Sequence, residues 1–332
     1  MNSAHNNKRS IVFAVVTLAV AVWLVHASIQ QLAAGGALVS VWLTTPDQLN
    51  LLAPQSSISF GPDADQNPTT IDVDSRTTYQ QIDGFGASFT DSSAWLVYSK
   101  LTPGARNDLM SRLFDPVAGI GLSYLRQPMG ATDFALSNYT YDDVPAGQTD
   151  AALTHFSIDH DRAYILPLLK QARLINSQLR IIATPWSPPA WMKTSQSMIG
   201  GALNTSAMTP LAGYFVKFLQ AYQAEGVPID RITIQNEPHF TPAGYPGMFM
   251  EWDQQESFVR DYLGPAFANA GLTTGIALWD HNWDDPNYPT NILADGGAAQ
   301  YVSGSAFHCY AGTPDAMTTV HDFSPGKDLY LT

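Results

Sequence analysis

The feature that most constrains this chain is a repeated alternation of short apolar runs with longer helical patterns. "LSYLRQPM" precedes "DRAYILPLLKQARLIN", "RIIATPWSP" precedes "LAGYFVKFLQAYQAEG", and "ITIQNEP" precedes "QQESFVRDYLGPAFANAG". "TTGIALWDHN", "SGSAFHCY" and "KDLYLT" then follow. Apolar residues in "YFVKFLQAY" recur at i, i+3 and i+4, the period of a helix with one buried face. Alternation of this kind gives parallel strands joined by helical crossovers.

Counting "GFGASFT" as the first, about seven strand units are present. Their chemically rich residues stand at the C-terminal ends, where a (β/α)8 barrel places its active site. A doubly wound sheet also alternates, but no glycine-rich phosphate loop opens a helix here. The expected fold is therefore α/β, a TIM barrel occupying residues 80–332. Residues 28–79, with "GGALVSVWLTTPDQLNLL" and "TTIDVDSRTTYQ", show β-like alternation broken by Pro, Gly and Asp, and are expected to form a separate β segment.

Charged residues make up only 14% of the chain and hydrophobic ones 45%, which supports a sizeable core and argues against disorder. The net charge of −13 repels a phosphate backbone, so no nucleic-acid partner is expected. A neutral ligand suits this balance better, and the 8 Trp and 14 Tyr offer flat apolar faces for sugar rings as well as core packing. At the N-terminus Lys8 and Arg9 precede "IVFAVVTLAVAVWLV", with small Ala27 after it, so residues 1–27 read as an export signal. The run is shorter than the ~20 residues of a spanning helix, so a secreted or periplasmic protein without stable membrane insertion after signal cleavage is expected, with an uncleaved membrane anchor as the alternative. The one cysteine, Cys309, excludes an intrachain disulfide.

Glu237 closes "ITIQNEP" between Asn236, which can bond a substrate hydroxyl, and Pro238, which stiffens the turn. A carboxylic acid at a barrel mouth is suited to general acid catalysis. In "DGFGASFTDSSAW", Asp91 can accept bonds from two sugar hydroxyls, or else Asp91 or Thr90 caps the helix that follows. Arg126 in "LRQPMG" suits either a site charge or a structural ion pair. Trp186 and Trp191 in "ATPWSPPAWMKT" sit on a proline-stiffened loop, preset for a flat contact or for packing over the rim. In "AFHCY", His308 and Tyr310 share one face, with Cys309 on the other. The "DHNWDD" cluster of Asp280, His281, Asp284 and Asp285 is too contiguous for clear metal-ligand spacing, so no metal is expected.

Together these stretches resemble glycoside hydrolase family 30, the glucosylceramidase and endo-β-1,6-glucanase group. "QQIDGFGASFTDSSAW", "GIGLSYLRQPMGATDF" with "YTYDD", "IIATPWSPPAWMKT", "TIQNEP" and "FHCY" follow the order of the family's signatures over residues 75–332. "VSVWLTTPD" resembles its N-terminal strand region. The resemblance implies a TIM barrel with a side β-domain, built from N-terminal strands and a C-terminal segment. It also implies retaining cleavage of β-glucosidic bonds in β-1,6-glucan, oligosaccharide or glucosylceramide, with no metal or organic cofactor. Glu237 matches the acid/base. Asp91, Trp186 and Asn236 match residues holding the nearest sugar, and Arg126, Tyr245, His308 and Tyr310 match the pocket lining. The family's nucleophile is a second glutamate after a run such as "DLYLT". Its counterpart would directly follow Thr332, so the chain is expected to be a truncated, incomplete barrel with little activity alone. Glu225, Glu251 and Glu256, the other glutamates, do not end strand units. A non-catalytic sugar-binding protein is the alternative. "HFTPAGYPGMFM" and "DHNWDDPNYP" favour a polysaccharide or oligosaccharide over a glycolipid.

Overall fold

The computed structural model describes residues 38–61, 69 and 71–332. They fall into two compact units, residues 1–80 and 81–332. The expected export signal at 1–27 lies outside the described residues.

In the first unit, β1 (Leu38–Val39) pairs antiparallel with β4 (Ile58–Ser59), and β2 (Trp42–Leu43) with β3 (Ala53–Pro54). The pairs are successive stretches of one hairpin. At its tip Thr45 N donates to Asn50 O at 3.0 Å, and Leu49 N donates to Asp47 Oδ1 at 3.0 Å. Pro46, Asp47 and Asn50 are turn formers for this reason. The expected β character of "TTIDVDSRTTYQ" is not realised, because residues 71–80 contain no strand. Asp74 instead takes the N–H of Arg76 at 3.0 Å and its guanidinium at 2.9 Å, a local turn that competes with a ladder. Alternation becomes a strand only against a partner, and Ile71, Val73 and Tyr79 stand 85%, 87% and 87% exposed.

The second unit is built on seven parallel strands: β5 (Gly86–Ser88), β6 (Tyr124–Pro128), β7 (Arg180–Thr184), β8 (Arg231–Thr233), β9 (Gly275–Trp283), β10 (Val302–Gly312) and β11 (Asp328–Leu331). Their order in the sheet is their order in the chain. A doubly wound sheet reverses direction at a switch point; this one never does, which is barrel winding. The sheet is also curled. Tyr124 on β6 and Tyr330 on β11, near opposite ends of the sheet, bring their rings to 6.0 Å. With Ile182, Ala277 and Ala306 they form an interior cluster distinct from the larger core under the helices. Small and large side chains fill the inside in this way. At Gly86, a Cβ would fall 1.3 Å from Tyr124 O, so only glycine lets β5 approach β6.

The helices cover the outer face by the periodicity their sequences show. In the helix Met208–Ala224, Leu211, Phe215, Phe218, Leu219 and Tyr222 are buried while Lys217 and Gln220 face solvent. In the helix Asp159–Ile175, Ile165, Leu166, Leu168, Leu169 and Ala172 are buried. The site lies at the strand C-termini, where two irregularities depart from the sequence expectation. β8 stops at Thr233, so Glu237 lies beyond the ladder rather than at its last rung. β9 carries a bulge: Ala306 of β10 pairs with Trp279, and Phe307 pairs with His281. Asp280 is thus the extra residue, and Trp279 and Asp280 have φ of 70° and 61°.

Candidate active site

Glu237 is fixed by its backbone before its side chain is considered. Its φ is 47°, and its N–H donates to Asp280 O at 3.0 Å while Asn236 N donates to Pro185 O at 2.9 Å. Positive φ at a non-glycine residue costs on the order of 1–3 kcal/mol, and three such residues meet here. The strain is concentrated where the side chains must be aimed.

Those side chains form one connected network. Glu237 Oε1 lies 2.9 Å from His308 Nδ1, and His308 Nε2 lies 3.1 Å from Asp280 Oδ1. Arg126 Nη2 donates to Asp280 Oδ2 at 2.9 Å and to Asn236 Oδ1 at 2.8 Å. Thr233 Oγ1 and Thr332 Oγ1 each donate to Asp280 at 2.6 Å. The Arg126 guanidinium also lies over the Trp186 ring, 4.7 Å from its centroid. Gln235 Nε2 donates to Trp186 O at 2.7 Å and stiffens the loop carrying that ring.

The electrostatics follow from these contacts. Burial alone would raise the Asp280 carboxyl, but the Arg126 charge and the bonds from His308 and Thr233 hold it far below the carboxylate range. Burial would likewise lower His308, and its bonds to Asp280 and Glu237 outweigh that and raise it. An imidazole placed between two carboxylates is a donor at both nitrogens. Burial keeps His281 below its ordinary value against the pull of Glu237, whose Oε1 lies 4.0 Å from His281 Nδ1. Tyr245 is raised by burial and then by the charges of Asp133 and Glu237.

Of the residues expected from sequence, Glu237, Arg126, Asn236, Trp186 and His308 are brought together directly. The Tyr245 phenol feels the Glu237 charge, and Tyr310, exposed, stands edge-on to His308 with centroids 6.0 Å apart. Asp91 is the departure. It does not cap its helix, which Thr90 does by accepting from Ser93 N. Its carboxylate is turned inward, taking Leu136 N at 2.8 Å, His160 Nε2 at 2.8 Å and the Tyr164 hydroxyl. It is buried, so a sugar hydroxyl reaches it only by displacing those donors. Trp191 also serves packing, donating to Asp142 O and Oδ2 at 3.1 Å. Thr233 and Thr332 belong to the network and were not singled out for it, and His281, read from sequence only as part of a contiguous cluster, lies beside Glu237. Only the bulge turns Asp280 and His281 to the same side, since strict alternation separates neighbours.

The other glutamates are committed elsewhere. Glu225 pairs with Arg162 and Lys170, Glu251 with His239, and Glu256 with Arg260. None stands beside Glu237.

A family description, "Glycosyl hydrolase family 30 TIM-barrel domain", matches residues 82–330. The chain belongs to glycoside hydrolase family 30. Among family relatives, an endo-1,6-β-D-glucanase of Neurospora crassa is 38% identical over 79% of this chain and 55% of its own length. The lysosomal acid glucosylceramidase of Mus musculus is 33% identical over 76% of this chain and 51% of its own. A solved endo-β-1,6-glucanase superimposes with a TM-score of 0.79 at 33% identity, covering 88% of this chain and 64% of that one. The chain thus spans about half the length of the curated relatives it matches. The family barrel accords with the seven-stranded parallel sheet and its uninterrupted strand order.

Proposed function

We propose that the whole protein is a retaining β-glycosidase in which Glu237 is the acid/base. The observation that carries this reading is the fixed placement of Glu237, by its own backbone and by His308, in one network with Asp280, Arg126, Asn236 and Trp186. Glu237 protonates the leaving oxygen in the first step and deprotonates water in the second. His308 holds one oxygen of Glu237 and leaves the other for the glycosidic bond. Asn236, positioned by Arg126, offers its amide N–H to a sugar hydroxyl, and Trp186 offers a flat face to the ring.

Retention requires a second carboxyl about 5–5.5 Å away. Asp280 does not fit, because four donors already occupy it. The proposed nucleophile is the glutamate that the family pattern puts after Thr332. β11 supports that assignment: Thr332 N donates to Phe307 O at 2.8 Å, and its hydroxyl reaches Asp280. Both contacts put Thr332 beside the network of Glu237, which supports a nucleophile at the position after it. The proposed substrate is a β-1,6-glucan or a related oligosaccharide, supported by the glucanases among the relatives, with glucosylceramide second. Export is proposed from residues 1–27. No helix among the described residues is long and apolar enough to cross a membrane.

The test uses two proteins. The 332-residue chain is expected to leave an aryl β-glucoside intact, and turnover abolished by Glu237→Gln would refute the assignment of the nucleophile beyond Thr332. The gene product carried through that glutamate is expected to depolymerise β-1,6-glucan faster than it cleaves glucosylceramide. Tight glycan binding without turnover would identify a binding protein instead.

A further inference from the structure

His281 has no task in the reaction just described, yet its position is specific. Its Nδ1 is buried and without a hydrogen-bond partner, and it lies 4.0 Å from Glu237 Oε1. A buried polar atom left unpaired costs roughly 1–3 kcal/mol, so it calls for an explanation. His308 Nδ1 stands against the same oxygen, at 2.9 Å. Glu237, His281 and His308 therefore offer three ligand atoms, all within 4.8 Å of one another.

We propose that Glu237, His281 and His308 form a binding site for a borderline divalent cation of the zinc class, which excludes Glu237 from proton transfer while bound. Two imidazoles and a carboxylate are a zinc donor set, and hard cations such as Mg2+ prefer all-oxygen shells. With metal–ligand bonds of about 2.0–2.1 Å, ligand atoms in a tetrahedral shell lie roughly 3.4 Å apart. The two carboxylate–imidazole separations, 2.9 and 4.0 Å, bracket that value, and small rotations of the Glu237 and His281 side chains would draw all three atoms, now within 4.8 Å of one another, onto one cation. The surroundings suit the role as well. Asp280 accepts from His308 Nε2, which fixes the ring with Nδ1 toward the cation, and Arg126 and Thr233 hold Asp280 in turn. This carboxylate–histidine arrangement orients metal-bound imidazoles generally. The cation takes the place of the proton that His308 Nδ1 shares with Glu237. The bulge at Asp280 is what makes the triad: with regular alternation His281 would face away from Glu237.

Binding rests on this geometry alone; inhibition rests additionally on Glu237 as acid/base. The experiment therefore reads binding without reference to activity. Untagged, chelator-treated chain is titrated calorimetrically with ZnCl2, with MgCl2 in a parallel arm. Visible spectra are recorded with CoCl2. One saturable Zn2+ site and the intense spectrum of four-coordinate Co2+ are expected, with no heat from Mg2+ at the same concentration. His281→Gln, chosen to keep the volume, is expected to lower Zn2+ affinity at least ten-fold. His155→Ala, which alters a surface imidazole paired with Asp150, is expected to leave it unchanged. Zn2+ is also expected to raise the melting temperature of the unmutated chain, a reading that no variant can confuse. Absence of saturable Zn2+ binding, equal Zn2+ affinity in His281→Gln and the unmutated chain, or equal binding of Mg2+ would overturn the proposal.

Discussion

Replacing Asp280 with Asn is the most informative perturbation of the network. The carboxylate is fully buried and accepts from Arg126 and Thr233 on one oxygen and from His308 and Thr332 on the other. An amide keeps one accepting oxygen and presents N–H groups to the remaining two donors. A threonine hydroxyl can reverse and accept, but neither a guanidinium nor a doubly protonated imidazole can. Whichever way the new amide turns, one N–H of a cationic side chain, on Arg126 or on His308, loses its acceptor, and the compensating charge is gone. Removing one member of a buried ion pair costs about 3–5 kcal/mol, a large share of the roughly 5–15 kcal/mol that holds a domain together. Urea unfolding at fixed pH, followed by tryptophan fluorescence, reads this directly.

The loss should also depend on pH. His308 is raised above its unfolded value near 6.5, so its contribution is fully present below about pH 6.5 and fades as pH rises through the folded value. Asp280 is depressed, so its own contribution is present above about pH 4 and is lost only as pH falls through the depressed value. Above about pH 6.5 only the histidine of this pair titrates. The difference between the unmutated chain and Asp280→Asn is therefore expected to be largest near pH 6 and to shrink as pH rises through the raised histidine value. A loss below about 1 kcal/mol at pH 6, the size of an ordinary substitution, would refute the reasoning. So would a loss that grows with pH.

Two further perturbations probe the frame around the site. Lys193 is fully buried, with Nζ donating to Ser187 Oγ, Met198 O and Gly247 O at 3.0, 2.8 and 2.7 Å. Lys193→Met strands those acceptors, and a loss of about 3 kcal/mol is expected in urea unfolding; a change under about 0.5 kcal/mol would mean that the loops hold without the amine. Tyr222→Phe removes a hydroxyl from Asp161, which burial pushes up to about 6 and which Tyr141 also bonds at 2.6 Å. A loss of about 1.5–3 kcal/mol is expected above pH 6, where Asp161 is ionised, and a smaller one below it; equal losses on both sides of pH 6 would refute an ionised acceptor.

Much of the barrel was legible because its signals are local. The apolar spacing of "YFVKFLQAY" reports a buried helix face, and each strand–helix alternation reports a crossover. Glu237, Arg126, Asn236 and His308 were legible because they close such runs. What was not legible depends on contacts distant in sequence. The bulge at Asp280 exists only in the pairing of β9 with β10, and without it His281 reads as facing away. The inward turn of Asp91 depends on His160 and Tyr164, supplied by a helix about seventy residues later. The strand expected near Ile71 failed for the converse reason: its pattern was local, but its partner was not there to be read.

The network at Asp280 also has a temporal side. Arg126, Thr233, His308 and Thr332 all converge on one carboxylate, across a span of more than two hundred residues. No local segment can assemble it. Loop closure must first bring β6, β8, β9, β10 and β11 into one curled sheet, and contacts of such long sequence separation form late and slowly. Two cationic side chains thus await a counter-charge until nearly the whole strand order is in place. A misregistered strand leaves Asp280 buried without Arg126, its counter-charge. The chemistry of the mouth therefore doubles as a test of the winding, passed only by a chain that has folded correctly from β6 to β11.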